Sequence, residues 1–168
     1  MLREVIHNNN HEFMATKLQY GITIRAVSDG SYHPTYQYGT SAWIIKIQNN
    51  DRTIIGDNAV PGDAKPQFNH RSEICGFIGA IHNINNICIT YNVHEVSEEL
   101  GCNGLEAYKM VTRYAYSLYN KLPNYALSSN HHQYIKAIPL LWKFCHVKGH
   151  QDNGDTYNNI DEWVQINI

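Results

Sequence analysis

No stretch of the 168 residues approaches the ~20 consecutive apolar positions that a membrane helix requires. Nor does Met1 to Tyr20 form a signal-peptide core, because His, Asn and Glu interrupt its apolar residues. The chain therefore reads as intracellular, in cytoplasm or nucleus, with no membrane partner. Its four cysteines, Cys75, Cys88, Cys102 and Cys145, contain no C-x-x-C pair. That absence removes zinc-ribbon and thioredoxin-type sites, and without an export signal the thiols read as buried and reduced. Charged residues make up only 17% of the chain against 43% hydrophobic, with aromatics spread along its length, which excludes disorder and suits one well-buried core.

Acidic residues are missing altogether from Ala107 to Gln151, where Lys109, Arg113, Lys121, Lys136, Lys143 and Lys148 give +6 and leave the rest of the chain at −8. Tyr108, Tyr114, Tyr116, Tyr119, Tyr125 and Tyr134 lie among these cations. Cations interleaved with rings suit a polyanionic backbone, since Lys and Arg neutralise phosphates while rings pack on sugars and bases. A solvated helix face with core tyrosines gives the same pattern. The separation of signs points to an acidic cluster elsewhere, as a metal-dependent enzyme acting on phosphates requires.

Gly21–Ser28 alternates apolar and polar residues and predicts a strand ending at Asp29-Gly30-Ser31. Ser41–Gln48 predicts a second strand, joined through an Asn49-Asn50-Asp51 turn to a third over Arg52–Val60. Ile74, Phe77, Ile78 and Ile81 recur at helical spacing, predicting a helix from Arg71 to about Asn85. A strand over Val93–Cys102, a helix over Gly104–Tyr119, a helix over His131–Leu141, a strand over Trp142–Val147 and a last helix from Asn158 or Asn159 complete the reading. Three meandering strands followed by alternating helices and strands make an α/β mixed sheet with helices packed on it. Residues 1–20 read as a short helix and linker toward an upstream domain, and 21–168 as one domain.

The acids fall at the joints of this plan. Asp29 closes the first strand, Glu73 lies in the first turn of the first helix, Asn103 follows the fourth strand, and His150 follows the fifth. Taken singly, an Asp before Gly is an ordinary turn former and a Glu in a first turn answers the helix dipole. Taken in order, the phrases AVSDGSYHPTYQYGTSAWII, VPGDAKPQFNHRSEICGFIGAI, ELGCNGLEAY and HVKGHQDNGD, with IDEWVQINI after them, resemble the ribonuclease H family. The likeness is to the ribonuclease H domain of retrotransposon-type reverse transcriptases, and it runs from about Ile22 to the end.

The resemblance implies a ribonuclease H-like fold: a five-stranded mixed sheet, three strands antiparallel and then parallel ones, with helices on both faces. It implies hydrolysis of the RNA strand of RNA–DNA hybrids with two Mg²⁺ ions, Mn²⁺ being able to replace them, and an upstream reverse transcriptase domain in the same polyprotein. Two divalent cations ~4 Å apart compensate charge on the attacking and leaving oxygens of the phosphodiester. By position, Asp29 and Glu73 would be metal-binding carboxylates, Asn103 would stand where the family has its third, and His150 would be the mobile histidine. The fourth carboxylate is Asp161 or lies beyond Ile168, with Asp152 and Asp155 weaker choices. Nucleic-acid contacts are expected from Ser31, Arg71 and Ser72 beside the acids, and from Lys109, Arg113 and Lys148 in the basic segment.

Asn103 is the departure from the family pattern. An amide oxygen ligates a hard cation without bringing charge, so cleavage is expected to be reduced or absent while hybrid binding survives. An engineered substitution, a decayed retroelement copy and a non-catalytic, nucleic-acid-binding adaptation all leave this signature. A zinc site built on His131-His132, His146 and His150 is disfavoured, because His146 and His150 straddle a strand end and Gly149 rather than sharing a helical face.

Overall fold

The computed structural model of the chain describes residues 4–6, 10–47, 50–60, 69–94, 97–102, 105, 108–109 and 141–147. Their elements, in chain order, are β1 (Glu4–Ile6), α1 (His11–Gln19), β2 (Ile24–His33), β3 (Tyr38–Ile47), β4 (Thr53–Ala59), α2 (Asn69–Tyr91), β5 (Ser97–Cys102) and β6 (Leu141–His146). Period-two alternation forms the meander: Trp43, Ile45 and Ile47 of β3 are buried while Ala42, Ile44 and Lys46 between them are more open. β2 pairs antiparallel with β3, and β3 with β4. On the other side β5 joins β2 in parallel and β6 joins β5 in parallel. Strands β2 to β6 are thus the mixed five-stranded sheet that the sequence predicts. Among the described residues β1 adds a sixth strand, antiparallel on the outer side of β4, in an order β1-β4-β3-β2-β5-β6.

Helix α2 lies across the sheet, and most of its residues from Ser72 to Cys88 are buried. Ile74, Phe77, Ile78, Ile81, Ile84 and Ile87 pack with Ile24, Ala26, Trp43, Ile45 and Leu100 of the strands. Burying each such side chain is worth about 1.5–3 kcal/mol, which outweighs the modest helix propensity of the isoleucines. Trp43 fits because two facing positions lack side chains. A Cβ at Gly56 would come within 2.6 Å of Trp43 Cε2, and one at Gly79 within 2.6 Å of Trp43 Nε1.

The helix runs six residues beyond the Asn85 boundary that its sequence suggests. Asn83 and Asn85 are buried, and Ile87 and Cys88 continue the core face past them. It stops at Asn92, whose φ of 56° is left-handed. The Val93 amide then donates to the Cys88 carbonyl at 2.9 Å and the Asn92 amide to that of Ile89 at 3.4 Å. This pair of bonds is the Schellman stop, with Asn in the place usually held by Gly.

Helix α1 buries Met14, Ala15 and Leu18 in the same core. The Asn10 side chain at its start donates from Nδ2 to the Thr53 carbonyl at 2.7 Å. On the sheet face away from α2, Arg25, Glu99 and Lys143 form one rung across β2, β5 and β6. Glu99 pairs with Arg25 at 2.8 Å and with Lys143 at 2.6 Å. Leu105, Tyr108 and Lys109 are helical, within the segment expected to form a helix from Gly104. Of the helix expected over His131–Leu141 only Leu141 is described, and it opens β6 instead; the helix expected from Asn158 or Asn159 lies outside the described residues.

Candidate active site

Asp29 does not close its strand. β2 continues to His33 and the chain turns over Pro34–Gln37, so Asp29, Gly30 and Ser31 are strand residues paired with Ala42, Ser41 and Thr40. Among the described residues, what ends near Asp29 is the neighbouring ladder, whose last pair is Ser28↔Cys102. Among the described residues only the β2–β3 ladder continues past it, and the two ladders part at a fork. Asp29 stands at this fork.

Gly30 belongs there for closeness rather than for turning. A Cβ on it would strike the Glu73 amide nitrogen and the Ser72 carbonyl carbon, and would lie 2.8 Å from Glu73 Cα. The backbone of α2 thus rests on the backbone of β2. The Ser72 hydroxyl fastens the contact by donating to the Ser31 carbonyl at 2.9 Å. This contact delivers Glu73 to Asp29. The Gly30 amide donates to Asp29 Oδ1 at 2.8 Å and also serves the Glu73 carboxylate. From β5, the Cys102 thiol donates to Glu73 Oε2 at 3.8 Å.

Glu73 is 8% exposed. Burial first, and then the neighbouring Asp29 carboxylate, push its pKa up to about 8, against the smaller opposing pull of the Cys102 thiol and the Gly30 amide. The folded protein therefore holds a proton on Glu73 that the unfolded chain, near 4.5, has released. Stability from the protonated acid is complete below pH 4.5 and declines as pH rises toward about 8, by at most about 5 kcal/mol. Urea melts of the metal-free protein from pH 5 to pH 9 are expected to show this decline, and Glu73→Gln to make it shallower.

Of the other residues expected at the site, Ser31 is exposed on β2 and Arg71 is half-buried in the first turn of α2. Ser72 is a correction: it is fully buried and its hydroxyl is engaged with β2, so it joins helix to strand and presents no surface to a duplex. Lys109 is half-buried in its helical turn. Asn103, Arg113, Lys148, His150 and Asp161 lie outside the described residues.

Two features of the site escape the sequence reading. One is the Cys102 contact. The other is Asp57, which stands level with Asp29 across Ala42 in the strand register. The two acids border a groove of about 420 Å³ that Ser31, Tyr38, Thr40 and Ala42 also line. One signal of the helix–strand contact was present in the sequence: Ser72, Gly76 and Gly79 form a stripe of small residues at helical spacing.

Among the described residues no three His, Cys, Asp or Glu side chains gather as a metal-binding group. Asp29 and Glu73 are nonetheless a matched pair of hard anionic donors, the type that Mg²⁺ and Mn²⁺ take, and a cation between them would relieve the repulsion that raises Glu73. The donor set fits a divalent cation.

No family model matches the sequence, and no curated protein matches it significantly. Solved structures do resemble the fold. Ribonuclease H1 from the halophilic archaeon Halobacterium salinarum superposes with a TM-score of 0.55 at 14% identity, over 76% of this chain and 86% of that one. The N-terminal ribonuclease H domain of rv2228c from Mycobacterium tuberculosis, solved as a fusion with maltose-binding protein, gives 0.54 at 8%, over 77% and 85%. LC11-RNase H1, in complex with an RNA/DNA hybrid, gives 0.57 at 12%, over 77% and 88%. With its antiparallel meander, parallel additions and crossing helix, the chain has the ribonuclease H-like fold.

Proposed function

We propose that this chain is a ribonuclease H-type domain that hydrolyses the RNA strand of RNA–DNA hybrids with divalent metal ions, of the kind found in retrotransposon reverse transcriptases. The observation that carries the reading is the meeting of Asp29 and Glu73 over the Gly30 amide, at the fork of β2 and β5. Two carboxylates from separate elements, near enough for one to raise the pKa of the other, are poorly explained as packing. The two acids would hold Mg²⁺ or Mn²⁺, with Asn103 and Asp161 as further oxygen donors. The ions supply charge compensation on the reacting phosphate. Selectivity for the RNA strand rests on 2′-hydroxyl and backbone contacts rather than base reading. The reading includes residues 1–20 leading from an upstream polymerase domain.

The amide at position 103 favours weak cleavage with hybrid binding retained, so catalysis and binding are tested together. Labelled RNA–DNA hybrid is incubated with the parent, with Asn103→Asp and with the double variant Asn103→Asp/Asp29→Asn, in Mg²⁺ and in Mn²⁺. Asn103→Asp is expected to raise cleavage at least about tenfold, and adding Asp29→Asn to remove the gain. Hybrid bound equally by all three without any cleavage would leave a binding module. Neither binding nor cleavage would end the reading.

A further inference from the structure

Cys102 is 0% exposed at the end of β5, and its thiol donates to Glu73 Oε2 at 3.8 Å. The Glu73 carboxylate is thereby gripped by two neutral donors from two strands: the Gly30 amide of β2 and the thiol of β5. We propose that Cys102 is a positioning residue, whose S–H bond to Glu73 Oε2 holds that carboxylate toward Asp29 in the orientation that receives a divalent cation. The role rests on the nuclease reading above.

Three physical points support it. Glu has three side-chain torsions, and an unrestrained carboxylate at the fork would sample many orientations, each ordered only at an entropic cost on binding. A donor that fixes it in advance removes that cost. The donor must also be neutral, since a Lys or Arg in this place would satisfy the carboxylate with its own charge and compete with the cation. A thiol meets both needs: it is a weak donor, so it aligns the oxygen while leaving it basic. Its position at the end of β5 is fixed independently, because the Val147 amide donates to the Cys102 carbonyl at 2.9 Å. The strand end that leads into position 103 and the helix that carries Glu73 are therefore tied through this one thiol.

Two measurements on the whole chain test the role. The S–H stretching band of Cys102, isolated by subtracting the spectrum of Cys102→Val, is expected at the lowered frequency of a bonded thiol and is expected to return to the free position in Glu73→Leu, which removes the acceptor. Mn²⁺ affinity, read by electron paramagnetic resonance, is expected to fall about tenfold in both Cys102→Ala and Cys102→Val. Cys102→Ser keeps a donor and is expected to stay within about threefold of the parent. A thiol band at the free position in the parent overturns the proposal, whatever the metal does. So does Mn²⁺ affinity unchanged in folded Cys102→Ala and Cys102→Val. A bonded thiol in a parent that binds Mn²⁺ no better than Asp29→Asn refutes the metal-dependent reading instead, and the positioning role falls with it.

Discussion

Gly30→Ala is expected to destabilise the protein by about 3 kcal/mol or more and to separate Asp29 from Glu73. The added methyl group meets backbone on every near side: the Glu73 amide nitrogen, the Ser72 carbonyl carbon and, at 2.8 Å, Glu73 Cα. No side-chain rotation relieves such a clash. The start of α2 must lift, and lifting it strains the Ser72 bond to Ser31 and the seating of Trp43 against Gly79. Chemical denaturation measures the loss. A useful control is Gly21→Ala, where no described residue lies within 4 Å of the new Cβ but φ is +72°. That change should cost only about 1 kcal/mol, from backbone strain alone. If the two substitutions cost the same, close packing is not what Gly30 provides.

Glu98→Met is expected to act in the opposite direction. Glu98 lies on β5 between Ile24 of β2 and Trp142 of β6 in the register, and it is 1% exposed. Among the described residues neither carboxyl oxygen has a hydrogen-bond partner, and Cys88 of α2 is an ionisable group facing it. Burial drives its pKa well above the ordinary 4.5, so the folded protein keeps it neutral. The unfolded chain releases that proton at lower pH than the fold does, so keeping it costs stability once pH rises above 4.5. The orphaned oxygens add about 1–3 kcal/mol more. The sign follows directly: this acid's contribution is best below pH 4.5 and worsens as pH rises through the folded pKa. Met removes the ionisation at similar size. The variant should therefore gain about 1–3 kcal/mol over the parent at pH 4, from the orphaned oxygens, and more as pH rises. A constant gap from pH 4 to pH 8 would mean that Glu98 is not neutralised in the fold.

Much of the architecture was readable because alternation and helical spacing are strong in β3, β4 and α2. The order of motifs around Asp29 and Glu73 also pointed to one meeting place. What escaped had local causes. Asp-Gly commonly makes a turn, and nothing nearby in the sequence says that a helix 40 residues later will lie on that glycine. Asn83 and Asn85 look like the end of a helix until their burial is known. Three residues, Glu4 to Ile6, are too few to show any period. Cys102 read as one more buried thiol, because its partner is 29 residues away.

Strand β1 has a consequence at the opposite border of the sheet. It pairs with Gly56, Asp57 and Asn58 of β4, and so occupies part of the row of amides and carbonyls that β4 would otherwise present to solvent. A free row of that kind is a template on which other chains extend the ladder, the first step of aggregation. A three-residue cover offers little such template of its own. The N-terminal segment thus helps keep individual molecules apart, a task separate from anything done at the fork.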